Sequence, residues 1–580
     1  MMMIKYKFSR ALFGFIVLWC GMLPAVSQPV IEKGKFSGDF GFSGMYYLPD
    51  SLIGAEEVKS KVRGNAFLNL NYSIGGLSVG TRYEFYLFPL IDMEKIDYKG
   101  QGFTYYYADY KNSFIQVTAG TFYEQFGSGL ALRAYEEREL GVDNSLLGGR
   151  VRITPYKGIY LKGVWGIERE NFDFDYANRH DYIRGLDGEI VFGELCPKIA
   201  EKGFALNIGA SLVSKYEKSE TDYYFSLYPG SDSATQAYIP NNNIPANVSI
   251  WATRLQFGYK GFRVETEYAR KNNDPNLGNN YIYKSGEALF LSATYAMKGL
   301  GVSASFVRAD NMEFRSTRQA NRQTSLLMIN YIPAINRQYS YPLIGNYSYS
   351  VQPNGQIGTQ LQINYQIPKK SKLGGKYGTD IAFNYARMHD IRQDILPLAL
   401  ENGTQTGTNG YQSSFFAFGK NLLYQDVGIE ISRRFTKCWK LILAYNYLTY
   451  DLFRLQGHGE MVYAHHVAAD LTCKINARHA LRLELQHLTT QQDLGNWVAA
   501  TLEYAINPHW ILSVGDQWNY GNPEPEKRIH YYNVAAAFVT GSTRVGLNFG
   551  KTREGLLCIG GVCRTVPASY GCGLTVTTSF

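Results

Sequence analysis

Past residue 35 the chain alternates apolar and polar side chains with a period of two, the signature of strands with two unlike faces. Ala66, Leu68, Leu70 and Tyr72 fall on one face, and Asn65, Asn69, Asn71 and Ser73 on the other. Gly75-Gly76 then supplies a tight turn, after which Leu77, Val79, Thr81, Tyr83 and Phe85 interleave with Ser78, Gly80, Arg82 and Glu84. This unit of strand, turn, strand and loop repeats to the end of the chain. Further tight turns are predicted at Lys111-Asn112-Ser113, Pro155-Tyr156-Lys157-Gly158, Tyr259-Lys260-Gly261, Lys298-Gly299, Asn507-Pro508 and Gly541-Ser542. Longer loops rich in Asn, Ser, Tyr, Gly and Pro separate the hairpins, among them 216–247, 310–355 and 389–413.

The final stretch shows what these hairpins build. Phe580, Thr578, Val576, Leu574, Cys572 and Tyr570 form a mostly apolar face, while Ser579, Thr577, Thr575, Gly573 and Gly571 form a small, polar one. A strand of this kind, ending on an aromatic residue, is what a membrane-spanning barrel needs to close, because lipid leaves no strand edge unpaired. Phe580 is therefore the expected barrel-assembly signal. Arg82 and Glu84 cannot face lipid cheaply, so the polar face lines the lumen. The predicted fold is all-β: a transmembrane antiparallel β-barrel of about 24 strands, within 22 to 26, with short periplasmic turns and long extracellular loops. An even strand count puts both termini in the periplasm.

Composition agrees with this architecture. Tyr (46), Gly (58) and an aromatic content of 15% suit interfacial girdles and tight turns. Mean hydropathy is −0.23, and no segment past residue 27 approaches the ~18 apolar residues of a spanning helix. Residues 1–27 read as a signal peptide, with Lys5, Lys7 and Arg10 ahead of the apolar Ala11 to Leu23 and a small-residue cleavage site at Ala25-Val26-Ser27. Trp19 before Cys20 is wrong for a lipoprotein cleavage site. Residues 28–580 are then one barrel domain, since no linker or charge block divides them. Removing three cations lowers the net charge from +8 to +5, too small and dispersed for nucleic acid.

Candidate chemistry is sparse. His465-His466 is the one tempting catalytic pair, but alternation sends the two rings to opposite faces of a strand. Neither a nucleotide loop, a zinc-protease motif nor a nucleophile elbow is present. The expectation is therefore no enzyme, no cofactor and no metal. Gly560-Gly561 reads as a two-residue hairpin turn that sets Cys558 opposite Cys563, close enough for a disulfide. Cys196, Cys438, Cys473 and Cys572 have no evident local partner.

The densest charge lies in the third long loop. Glu124, Glu136, Glu137, Glu139 and Asp143 accompany Arg133 and Arg138 there, and Gly127-Ser-Gly129 lets the backbone bend sharply. Folded inward, this segment would form a pore constriction with an acidic excess of three, five acids less two arginines. That favours a channel or transporter for small solutes. The alternative is a plugged structural or secretion-associated barrel that docks partner proteins through its extracellular loops, since a stretch such as Asn330-Tyr-Ile-Pro-Ala-Ile-Asn-Arg-Gln-Tyr-Ser-Tyr341 can pack inside as readily as it can bind outside. The expected partners are outer-membrane lipid, the barrel-assembly machinery, a small-solute substrate and a partner lipoprotein.

Three blocks resemble a family of uncharacterised Bacteroidetes outer-membrane barrels: Phe122-Tyr-Glu-Gln-Phe-Gly-Ser-Gly-Leu-Ala-Leu-Arg-Ala-Tyr-Glu-Glu-Arg138, Leu373-Gly-Gly-Lys-Tyr-Gly-Thr379 and Arg553-Glu-Gly-Leu-Leu-Cys-Ile-Gly-Gly-Val-Cys-Arg-Thr-Val-Pro567. The resemblance covers essentially the whole chain past the targeting segment. It implies the barrel fold and an outer-membrane location, and no biochemical role.

Overall fold

A computed structural model of the chain describes residues 33–94, 98–169, 172, 181–218, 244–318, 327–396 and 407–580, together with the backbone of 222–226 and 236–240. The signal peptide expected at 1–27 lies outside the described residues, as do parts of the loops expected at 216–247, 310–355 and 389–413.

Twenty-four strands join edge to edge in one sheet, and every neighbouring pair is antiparallel. The sheet closes on itself. The last strand, Ser569–Ser579, pairs on one side with Thr543–Thr552 and on the other with the first strand, Lys35–Tyr47, setting Val576 opposite Phe42. At the seam Phe580 and Gly38 exchange backbone hydrogen bonds of 2.9 Å each, and the Phe580 ring stacks on Phe36 with centroids 6.2 Å apart. No open edge is left, which lipid requires.

The two faces of each strand part as alternation demands. Leu186, Leu212, Trp251, Leu255, Tyr445, Leu485 and Leu502 stand exposed on the outside, whereas Asp187, Ser211, Arg254, Asn446 and Glu484 are buried on the inside. In water, each exposed apolar Å² would carry a cost of about 25 cal/mol, and hydrocarbon removes it. A closed antiparallel barrel with an apolar outer belt is an outer-membrane β-barrel, and that is where this protein resides.

The turns on one rim are short, as at Gly75-Gly76, Lys260-Gly261, Lys298-Gly299 and Gly541-Ser542. On the other rim the loops are long. One runs from 217 to 246, between strands ending at Tyr216 and starting at Asn247; another from 311 to 354, between Leu300–Asp310 and Gly355–Ile367; a third from 392 to 417, slightly later than expected from sequence.

The largest apolar cluster lies within the barrel rather than between the barrel and lipid. It joins inward side chains of the strands to residues of the loop 123–145 and of the segment 311–354. Among the described residues no helix is long and apolar enough to cross a membrane, a statement that does not bear on strands.

Candidate functional site

The third loop leaves the strand Ile115–Phe122 and returns at Leu146–Tyr156. Two short hairpins shape it: Glu124–Phe126 pairs with Leu132–Ala134, and Glu136–Glu137 pairs with Val142–Asp143. The bend between the first pair uses Gly127 at φ +53° and Gly129 at φ +103°, a region that side chains with a Cβ rarely enter. The Ser128 N–H donates to the Glu267 carboxylate at 2.6 Å, tying the bend to the strand Phe262–Lys271.

Most charged residues of this loop have a definite neighbour. Glu124 is buried, with Arg152 at 2.6 Å, Lys162 at 3.4 Å and Arg150 at 3.6 Å, all three contributed by the barrel wall. Glu136 meets Arg82 at 2.8 Å and Arg138 at 2.6 Å, and the Arg138 guanidinium lies 3.4 Å from the centroid of the Phe67 ring. Arg133 sits between the rings of Tyr135 and Tyr331, at 4.3 and 3.9 Å from their centroids. Glu137 is half-buried and Glu139 is exposed. Asp143 is bound by Arg82 and by Arg169, each at 2.6 Å, and accepts from Tyr123 Oη at 3.0 Å and from the Ser145 N–H at 3.1 Å.

Asp143 is the centre of a closed ionic network. Arg82 and Arg169 also bind Glu84, both at 2.7 Å, and Glu136 links Arg82 to Arg138, so three arginines and three carboxylates neutralise one another largely out of water. Burial alone would push the Asp143 carboxyl up; Arg169 and then Arg82 outweigh it, and the carboxyl is held below the usual carboxylate range. The acidic excess counted along the loop therefore meets wall cations. Arg82, Arg150, Arg152, Lys162 and Arg169 all come from outside 123–145, and sequence order gives no hint of which acid each one reaches.

The segment 311–354, whose sequence suits packing inside as well as binding outside, makes contacts through its described residues that run from wall to wall. Tyr339 Oη donates to Asp426 at 2.6 Å and accepts from Asn446 Nδ2 at 2.7 Å, and Arg337 binds Glu430 at 2.6 Å. The Leu343 N–H donates to Gln486 Oε1 at 3.2 Å, and the Tyr341 ring lies 5.8 Å from that of His466. All these partners sit on inward faces of strands. On its other side the segment meets the third loop: the Arg133 N–H donates to Ile329 O at 2.8 Å, and the Tyr331 N–H to Gly129 O at 2.9 Å.

A third insert completes the group. Gly555–Ile559 pairs with Val562–Val566 across Gly560 and Gly561, whose φ values of +59° and +82° suit a two-residue turn with both central residues left-handed. Cys558 and Cys563 face each other in this register, Cα atoms 4.1 Å apart, and are joined as a disulfide. The hairpin touches both other inserts. The Val351 N–H donates to Gly561 O at 2.9 Å, and Arg564 donates to Glu139 O at 2.7 Å and binds Asp92 at 2.7 Å. Two of the three sequence blocks, 122–138 and 553–567, thus belong to neighbouring inserts; Leu373 to Thr379 lies at the opposite rim, in the turn after Gly355–Ile367.

Between the long segment, the disulfide hairpin and the loops around 452–458, 493–497 and 519–531 lies a cavity of 1190 Å³. His465 and His466 face opposite sides: His466 is fully buried beside Tyr341, and His465 lies on the outer side against Tyr445. Of the remaining cysteines, Cys196, Cys438 and Cys572 are exposed and Cys473 is half-buried.

Residues 8–580 match the family DUF6029, described as a family of unknown function. The chain belongs to that family. No curated protein matches it. Solved structures similar to it include the siderophore receptor PirA from Pseudomonas aeruginosa, at 9% identity and TM-score 0.40, covering 96% of this chain and 81% of the receptor. OccAB4 of Acinetobacter baumannii is 8% identical at TM-score 0.31, covering 85% and 99%. A triple mutant of the Rhodopseudomonas blastica porin is 10% identical at TM-score 0.24, covering 65% and 100%.

Proposed function

We propose that this protein is a self-plugged outer-membrane barrel that works by binding at its extracellular mouth and not as an open diffusion pore. The observation that carries this reading is the continuity of the apolar cluster across the lumen. It runs from Phe126, Leu130 and Leu132 of the third loop through Phe314, Ile329, Ile332 and Leu343 of the long segment to Leu448, Val462 and Ala464 on the far wall. Each large side chain buried in this way contributes about 1.5–3 kcal/mol, so several together hold the inserts against the wall.

A cation-selective constriction built on the third loop has weaker support. Such a filter needs uncompensated carboxylates facing the conduction path. Glu124, Glu136 and Asp143 are instead engaged by arginines and lysine, and of the loop's acids Glu139 alone is exposed. The protein is accordingly a binding or transport component and not a catalyst. Its partners would be a small solute or a surface-exposed lipoprotein, and Phe580 would mark the chain for barrel assembly through the closing strand.

The test is proximity inside the living membrane. Cysteines placed at Leu343 and Gln486, in a background lacking the four unpaired cysteines, should cross-link through a short bis-maleimide in intact cells, whereas Leu343 paired with an outer-face site such as Leu485 should not. Absence of the first product in a correctly assembled protein would overturn the plugged reading.

A further inference from the structure

The cavity behind the disulfide hairpin carries one cation whose chemistry is unfinished. Arg553 lines it and is half-buried. Its guanidinium donates to Glu554 O at 3.3 Å and to Asn346 Oδ1, lies 5.8 Å from the Trp497 ring centroid, and has no ion-pair partner among the described residues. An arginine offers five N–H donors in a planar fork that matches a carboxylate, and a partly desolvated guanidinium without an anion is costly.

The other cations Arg315, Lys527 and Arg564 of the lining are already matched. Arg315 binds Glu313 at 2.8 Å, Lys527 binds Glu524 at 2.8 Å, and Arg564 binds Asp92 at 2.7 Å. Asp493 accepts from Tyr347 Oη at 3.1 Å and acts on Arg553 only from beyond ion-pair distance, and Glu554 is exposed. Behind one wall, Arg133 is a second cation held by the faces of Tyr135 and Tyr331, two rings that also line the space.

The remaining surface is rich in amides, from Asn330, Asn346, Gln352, Asn354, Asn519 and Asn522, with the half-buried Tyr531 beside Trp497. Amides can both donate to and accept from hydroxyl groups. At 1190 Å³ the space exceeds that of ordinary small-molecule sites, roughly 300–1,000 Å³.

We propose that this cavity binds an anionic, hydroxyl-rich solute of the sugar-acid class, with Arg553 as the bidentate partner of its carboxylate. The proposal rests on the plugged reading, since Asn346 and Gln352 of the long segment form part of the wall. Arg553 is a binding residue, and the amides supply the contacts that distinguish a hydroxylated acid from any other carboxylate.

The test is calorimetric titration of the full-length protein in detergent with trigalacturonate, using galactotriose as the neutral counterpart and benzoate as a carboxylate without hydroxyls. Trigalacturonate should bind, both controls should bind far more weakly, and R553Q should weaken trigalacturonate at least about tenfold, with partial recovery in R553K. Retention of the heat-modifiable gel shift would show that the variants are assembled. Equal binding of trigalacturonate and galactotriose, preference for benzoate, no binding at all, or an unaffected R553Q would each overturn the proposal. Conductance of the same preparation separates the two ideas: a silent protein that binds none of the probes defeats the sugar-acid site alone, whereas a steadily conducting one defeats the plug on which it rests.

Discussion

The third loop and the long segment meet the same barrel and share its apolar cluster, but charge weighs more in holding the first than the second. The loop 123–145 adds to its apolar contacts from Phe126, Leu130 and Leu132 a buried ionic network, with Asp143 and Glu136 on Arg82, Asp143 on Arg169, and Glu124 on Arg152. The segment 311–354 leans more on apolar contact and hydrogen bonds, with Leu343 fully buried, Tyr341 on His466 and Tyr339 between Asp426 and Asn446, beside the ion pairs Arg337–Glu430 and Arg318–Glu217. The difference follows from what the wall offers. The strand Leu77–Phe88 presents Arg82 and Glu84 inward, while Trp439–Asp451 and Met461–Lys474 present Leu448, Tyr450, Val462 and Ala464. Ionic anchoring fixes geometry but is lost all at once when a partner is removed; apolar anchoring is spread over many contacts and degrades gradually.

The largest expected effect comes from Asp143→Ala. It leaves Arg82 and Arg169 short of a buried anion, and breaking a buried ionic group of this kind costs about 3–5 kcal/mol. Hydrogen exchange should show protection lost over 123–145 and nearly retained over 329–351. Equal loss in both regions would mean that the two anchors are one unit.

Leu343→Ala should cost about 3 kcal/mol through the cavity it leaves. Here the pattern reverses, with exchange rising first over 329–351. A variant as stable as the parent would show that the leucine is not a principal anchor.

Acid sharpens the same contrast. The Asp143 carboxyl titrates below its ordinary range in the folded protein, so its contribution to stability is complete above the unfolded pKa of about 3.9 and is lost as pH falls through the lower folded value. Below about pH 4 the third loop should become open to pepsin near Phe126 and Leu132, while the segment around Leu343 stays resistant longer. Simultaneous cleavage at both places would erase the distinction.

The smallest effect belongs to the disulfide. Cys558 and Cys563 close a very short loop, so replacing both with serine should cost an amount near the low end of roughly 0–5 kcal/mol. Mass mapping of the unreduced parent should find the linked pair. Free thiols at both positions would contradict the register of the hairpin.

Most of the barrel is legible in the chain because strand physics is local. Alternation in 65–73 and 77–85 names both faces, Gly75-Gly76 and Gly560-Gly561 name their turns, and the final strand announces closure. The ionic anchors are not legible, because Arg82 and Asp143 are 61 residues apart and Glu84 and Arg169 are 85 apart, and only barrel closure and the path of the loop bring them together. The inward packing of the long segment did leave one signal. On the strand Asn247–Tyr259 the inward face reads Val248, Ile250, Ala252, then Arg254, apolar toward the long-loop rim and charged further down. A water-filled lumen has no use for that upper apolar patch, and the same break in polarity recurs at Leu448 and Tyr450.

Single-channel conductance in a planar bilayer is the most direct measure of the central claim. The parent protein should be silent, and a variant in which residues 329–352 are replaced by a short Gly/Ser linker should open a steady conductance while keeping its heat-modifiable fold. A parent that conducts steadily, or a folded deletion variant that remains closed, would contradict a lumen plugged by the long segment.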